Sequence, residues 1–216
     1  MKKVLICLTL IMCFLSACKG NDDDIYKSIE MMKDISQNYE FNDYKIIGHS
    51  NNQETLINYT IIKANEDYYI NINEDHYYLV KNNEKYHVYS KENGMLLHYK
   101  SEDSIEILLS LYTSRLSINL NLNDMHSNLS NHFSSLLNNG SKVSVEKMLF
   151  NKINIEFVQE NDICKRVSSY KLDNGKITSI VSEYKEKNIS LMTNLSFEYG
   201  SQKLPSYNKL DYKIVN

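Results

Sequence analysis

The sequence predicts an α+β domain: a curved antiparallel sheet, a half-barrel, with helices packed on its concave face. Three observations predict it. Apolar residues recur at every second position through residues 39–100 and again through 143–199, the period of a half-buried strand. Those stretches are cut at short intervals by Asn-rich pairs such as Asn82-Asn83 and Asn93-Gly94, which suit hairpin turns because Asn and Gly tolerate positive φ. A helical period appears in only three places, once before the first strand-like stretch and twice between the two. Two meanders plus a few amphipathic helices pack as a sheet covered on one face.

The chain opens with a different signal. Met1-Lys2-Lys3 is basic, Val4 to Leu15 is apolar apart from Thr9, and Leu15-Ser16-Ala17-Cys18 leads directly into the polar stretch Lys19 to Asp24. That order is the order of a secretory signal. The apolar run is shorter than the roughly 20 residues that span a bilayer as a helix. The Leu-Ser-Ala-Cys ending resembles the lipobox of bacterial lipoproteins. The resemblance implies cleavage between Ala17 and Cys18 and a diacylglycerol anchor, with palmitate-like chains, on the Cys18 sulfur. Each buried methylene contributes about 0.8 kcal/mol and stable anchoring takes two chains, which a diacylated cysteine supplies. The expected organisation is a signal peptide over residues 1–17, a lipidated cysteine with an acidic spacer over 18–23, and a single domain over 24–216. The expected location is the outer face of the membrane of the cell or spore, tethered without spanning.

The domain elements follow in order. Ile25, Ile29, Met32 and Ile35 share a helical face, so a first helix is expected over 24–38, with Asp22 to Asp24 favourable at its positive end. Strands are expected at 44–48, 55–62, 67–72, 76–80, 85–89 and 95–99. Ile105, Leu108, Leu109, Tyr112 and Leu116 predict a helix over 102–116. Met125, Leu129, Phe133, Leu136 and Leu137 predict another over 124–138, closed by Gly140. Strands resume at 143–150, 152–159, 163–172, 176–184 and 190–199, with Asp173-Asn174-Gly175 as the clearest hairpin turn. Leu204-Pro205 and the last residues read as a loose end or an edge strand. Strand order is left open by this pattern.

Composition narrows the function classes. Removing residues 1–17 takes two lysines away and leaves 22 basic against 27 acidic side chains, a net charge of −5. A nucleic-acid face is not expected from that balance. The 17 tyrosines and the many isoleucines suit a pleated, half-buried surface. Cys7 and Cys13 lie in the signal, so only Cys164 accompanies Cys18, and lipidation of Cys18 leaves no internal disulfide. Cys164 is expected to be a small half-buried strand residue.

No motif for a nucleophile elbow, a phosphate loop, a zinc-protease helix or a paired-cysteine metal site is present, so no catalytic residue, cofactor or metal is expected. His76, His87 and His98 recur at eleven-residue spacing. Turns near Asn82-Asn83 and Asn93 would pair His76 with about Tyr89 and His87 with about Tyr78, so the three rings are expected not to converge and to be exposed strand residues. His126 and His132 are expected on opposite sides of their helix. The Tyr-rich stretch from Tyr68 to Tyr89 is read as sheet before binding surface, and Leu108-Leu109 and Leu136-Leu137 as core before ligand groove.

With its lipobox and this order of elements, the chain resembles the lipoprotein-carrier fold of LolA and LolB, and within it the clostridial germination lipoproteins of the GerS kind. The stretches that carry the likeness are Leu15 to Cys18, Ile29-Glu30-Met31-Met32-Lys33-Asp34-Ile35, Lys91-Glu92-Asn93-Gly94 with the helix Ser104 to Tyr112, and the hairpin Ser169 to Lys176. The resemblance implies a non-catalytic, membrane-anchored binding and regulatory module of spore germination that binds and activates a cell-wall amidase, the zinc and catalytic residues belonging to the partner. A second reading is an anchored carrier or receptor for lipid or lipoprotein in a concave apolar cavity.

Overall fold

The computed structural model describes residues 22–51, 55–114, 116, 118, 120–139, 141–148 and 151–215. The expected signal peptide over 1–17, the expected cleavage site at Ala17 and Cys18, Cys18 itself and Gly140 lie outside the described residues. Helix α1 runs Asp22–Asn38 and is followed by six strands: β1 (Tyr44–Asn51), β2 (Leu56–Ala64), β3 (Asp67–Ile72), β4 (Asp75–Asn82), β5 (Lys85–Glu92) and β6 (Met95–Ser101). Helices α2 (Ile105–Thr113) and α3 (Leu122–Asn138) come next. The second meander is β7 (Lys142–Lys147), β8 (Lys152–Glu160), β9 (Cys164–Asp173), β10 (Lys176–Glu186) and β11 (Ile189–Tyr199). A short 3-10 turn, Lys209–Asp211, precedes β12 (Lys213–Ile214).

All twelve strands form one sheet in the order β12-β6-β5-β4-β3-β2-β1-β11-β10-β9-β8-β7. Within each meander, neighbours in sequence are neighbours in space. The join is the antiparallel pairing of β1 with β11, in register from Tyr44 opposite Tyr199 to Asn51 opposite Met192. The sheet is open, with β12 and β7 as its two edges.

The turns explain the register. Asn65, Asn73, Asn83, Asn93 and Asn174 each open a two-residue turn with φ between 49° and 58°. Asn reaches this left-handed region at little cost. Gly94 and Gly175 follow Asn93 and Asn174 with φ of 80° and 78°, the primed pattern that matches strand twist. The expected strands appear within a few residues of their expected ends. Helix α2 is shorter than expected and α3 begins earlier, because Asn121, not a later residue, caps it by accepting from the N–H groups of Asn123 and Asp124.

One apolar core lies between the sheet and the helices. Phe133 of α3 packs between Phe157 of β8 and Tyr170 of β9, with ring centroids 5.0 and 4.7 Å away. Helix α1 rests on the β9–β10 turn: a Cβ on Gly175 would lie 2.8 Å from the Met31 side chain. The Asn123 side chain of α3 donates to the carbonyls of Ser36 and Tyr39, which ties α3 to the end of α1. Helix α2 covers the other half, with Tyr112 4.2 Å from Tyr77 of β4 and its hydroxyl bonded to that of Tyr99 of β6. Thus α1 and α3 cover the second meander, and α2 covers the first.

Of the two expectations for the C-terminal segment, a loose end or an edge strand, the edge strand is the one found. It crosses the outer face of the sheet, where Tyr78, Tyr89 and Tyr212 form a second buried cluster with Tyr207, Tyr69 and Leu204 against it. It ends by adding β12 in parallel to β6. On the inner face, the ring of Tyr59 lies over its cross-strand partner Gly48, where an added Cβ would sit 1.9 Å from the ring. Gly48→Ala is therefore expected to destabilise the fold by about 1–3 kcal/mol through overpacking. In urea denaturation, the double change Gly48→Ala with Tyr59→Ala is expected to cost less than the sum of the two single changes.

Candidate functional site

A groove opens at the seam between the two helical covers. Its walls are α2, the segment leading from α2 to α3, and the start of the sheet at β1 to β3. The apolar lining includes Phe41, Leu109, Leu116, Ile118, Leu120 and Leu122, and the cavity measures about 510 Å³. That is within the roughly 300–1,000 Å³ of small-molecule sites. The local sequence explains the lining. Leu116, Ile118 and Leu120 alternate in the sequence, yet the described residues of this segment between two helices belong to no strand. Its apolar side is applied to the sheet instead. Tyr44 pins it there by donating its hydroxyl to the Leu120 carbonyl at 3.0 Å.

Few charged groups line the groove. Lys63 of β2 is half-buried, donates to the Phe41 carbonyl at 2.9 Å and lies 6.0 Å from the centre of the Tyr44 ring. Glu106 of α2 is exposed, and the Ser104 hydroxyl bonded to it holds its carboxyl below the usual range. Burial raises the phenol of Tyr44, and that of Tyr68 is pushed up to about 12, first by burial and then by Tyr86 and Glu106. Both remain protonated hydroxyls at neutral pH. The hydroxyls of Thr113 and Ser114 bond back to the carbonyls of Leu109 and Leu111. The groove therefore offers an apolar floor, neutral hydroxyls, one cation and one carboxylate. That combination orients an amphipathic molecule.

The residues singled out in the sequence fall in several places. Cys18 and Ala17 lie outside the described residues. Leu109 lines the groove while Leu108 is fully buried in the core, so the α2 pair divides between the two roles. Leu136 is buried and Leu137 packs against the same core. Tyr68, Tyr78, Tyr86 and Tyr89 are buried sheet residues, shared between the inner core and the outer-face cluster. Cys164 is half-buried at the start of β9, its N–H donating to the Asn161 side chain.

The histidine expectation needs correction. The turn is Asn83-Glu84, one residue later than expected, so His76 lies opposite Lys91 and His87 opposite Val80. His87 and His98 do converge, with Nδ1 of the first 3.1 Å from Nε2 of the second. His76 turns away to the Tyr212 hydroxyl. Among the described residues, no three His, Cys, Asp or Glu side chains gather as a metal cluster. Sequence reasoning also passed over Lys63, Ile118 and Leu120, and it placed Leu116 in α2, which ends at Thr113. The alternation of Leu116, Ile118 and Leu120 was the available signal.

His126 is a structural residue of α3, fully buried behind the groove. Its Nδ1–H donates to the Leu122 carbonyl at 2.6 Å, and its Nε2 accepts the Ile177 N–H at 3.2 Å. Both ring nitrogens are thus occupied by backbone, and Phe41 stacks on the ring at 5.1 Å.

Set against known proteins, the chain matches no family model and no curated protein. Among solved structures it is similar to a LolA superfamily protein from Nitrosomonas europaea, with 9% identity over 87% of this chain and 97% of that one and a TM-score of 0.27.

Burial, partly opposed by the bond to Leu122 and reinforced by Lys176, holds the His126 pKa below its usual 6.5. The unfolded chain takes up this proton first. The contribution of His126 to stability is therefore complete above about pH 6.5 and is lost as the pH falls below it. His126→Leu is expected to cost about 1–3 kcal/mol near pH 8, by orphaning two buried backbone groups. Its stability, followed by denaturant unfolding from about pH 7 to 5, is expected to fall less steeply than that of the wild type, where His126 adds to the similarly shifted His76, His87, His98 and His132.

Proposed function

We propose that this protein is an exported, lipid-anchored, non-catalytic binding module whose groove takes the hydrocarbon chain of a lipid or lipidated protein. The supporting observation is the groove at the seam of the sheet, about 510 Å³ and walled by Leu109, Leu116, Ile118 and Leu120 with Lys63 among its lining residues. An acyl chain would lie along the aliphatic wall, and an anionic headgroup would meet the Lys63 ammonium. Anchoring through Cys18 keeps such a receptor at the membrane surface, where its ligand is.

A second reading has its own observation. Leu56, Ile189, Leu191 and Met192 are exposed large apolar residues. They gather at one end of the sheet, since Asn51 lies opposite both Leu56 and Met192. A protein partner would cover this end. In the regulatory reading suggested by the sequence resemblance, that partner is a cell-wall amidase activated during spore germination.

Two experiments test these readings. Protein purified gently from its own cells is expected to yield bound lipid by mass spectrometry, and Leu109→Arg is expected to reduce the retained lipid at least tenfold without changing the circular dichroism spectrum. Lipid-free wild-type protein carrying a stoichiometric amidase would instead support the regulatory reading. For the anchor, wild-type protein is expected in the detergent phase of a Triton X-114 partition with label from palmitate. Cys18→Ala is expected to be unlabelled and to enter the aqueous phase; a labelled variant would reject the anchor assignment.

A further inference from the structure

The outer face of the first meander carries a side-chain arrangement that neither the groove nor the core requires. His87 on β5 and His98 on β6 are diagonal neighbours, since His87 lies opposite Lys100 and His98 opposite Tyr89. Both are half-buried, with one side open to solvent. Their facing nitrogens, Nδ1 of His87 and Nε2 of His98, are 3.1 Å apart. The ring planes are 20° from parallel and the ring centres 5.2 Å apart, so the two nitrogens lie between the ring centres, edge to edge.

This is the spacing of a chelate. Two imidazole nitrogens bound to one metal at about 2.0–2.1 Å each, in neighbouring square or tetrahedral positions, are separated by about 2.9–3.4 Å. As they stand the two nitrogens face each other across one hydrogen bond, and a small rotation of each ring would turn both in-plane lone pairs to one point beside the line that joins them. Both histidines sit on paired strands, so little backbone freedom is lost when they bind. His98 is held further by Tyr89, which stacks on it at 4.3 Å and 5°. Tyr89 is fixed in turn by Tyr207 and Tyr212 of the C-terminal segment.

We propose that His87 and His98 form a two-histidine binding site for a late first-row divalent cation, Cu²⁺ ahead of Ni²⁺, with water completing the coordination. Imidazole suits these ions, and Cu²⁺ leads the affinity order. The charged groups facing the pair are Lys100 from β6 and Lys209 from the 3-10 turn, whose Nζ lies 5.9 Å from the centre of the Tyr89 ring. Both are cations and oppose a metal, so they weaken the site. The same charges supply a distinguishing test, because removing one of them strengthens binding.

Full-length protein without an affinity tag, purified in detergent, is titrated with CuCl₂ and with NiCl₂ by calorimetry. One saturable site is expected. His87→Asn and His98→Asn, on separate strands, are each expected to weaken it at least tenfold, while His76→Asn leaves it unchanged. Lys209→Ala is expected to tighten binding by about twofold to fivefold, through the lost repulsion. The electron paramagnetic resonance spectrum of the Cu²⁺ form is expected to show splitting from two imidazole nitrogens. Three results would overturn the assignment: no uptake of either ion at millimolar concentration, wild-type affinity in either His→Asn variant, or a spectrum with a single nitrogen ligand. In the first case the His87–His98 contact is only a hydrogen bond between two imidazoles.

Discussion

The pairing of β1 with β11 is the constraint on which the rest of the structure depends. Each meander is a local object, strand following strand through two-residue turns. Only the ladder from Tyr44–Tyr199 to Asn51–Met192 makes them one sheet. It brings residues more than a hundred positions apart into register, so its loop-closure entropy must be recovered from the burial it permits. Ile46, Leu195 and Phe197 are buried along it. At its edge, Tyr199 donates to the Ile177 carbonyl while His126 accepts from the Ile177 N–H. The seam, the neighbouring strand β10 and helix α3 are therefore locked by bonds that use both backbone groups of one residue.

The groove is a consequence of that seam. Helices α1 and α3 satisfy the second meander and α2 the first, and nothing regular covers the junction. Leu116, Ile118 and Leu120 of the α2-to-α3 segment line the space there, and Tyr44 fastens the segment at Leu120. Helix α2 is apolar nearly all round: Leu108 faces the core, Leu109 the groove, and Ile107 and Leu111 are 56% and 61% exposed. A helix of that kind is suited to meeting an apolar ligand as well as the sheet. Its nine residues are marginal as an isolated helix, so its stability comes from packing through Leu108 and Tyr112.

The outer face is organised by different physics. A two-layer sheet exposes its second face to water, and here the first meander's second face is covered by the chain's own end. Tyr207 stacks on Tyr78 at 4.1 Å, Tyr212 reaches the His76 ring nitrogen, and β12 pairs with the β6 edge. The cover protects one of the two open edges against pairing with another sheet. The other edge, β7, carries Lys142, Glu146 and Lys147 exposed on a short strand, a charged edge of the kind that discourages such pairing.

The elements were legible in the sequence because their causes are local. Alternation of Tyr and Ile, Asn at turn positions and the Ile25–Ile29–Met32–Ile35 stripe depend on neighbours a few residues away, and the strands and helices stand close to where these placed them. The expectation of a lipid anchor at Cys18 rests on an equally local pattern, and it falls outside the described residues. What lay beyond the sequence was each feature made by distant partners. The β1–β11 seam could not be read from either strand alone. A turn misplaced by one residue at Asn83 shifted the cross-strand partners by two and concealed the meeting of His87 with His98. The groove depended on where three helices leave the sheet uncovered, and Leu116, expected within α2, falls beyond its end and turns to the core with Ile118 and Leu120. Periodicity by itself determined which residues seek burial; only the tertiary structure decided what they are buried against, because that choice is made by chain closure between segments that share no local signal.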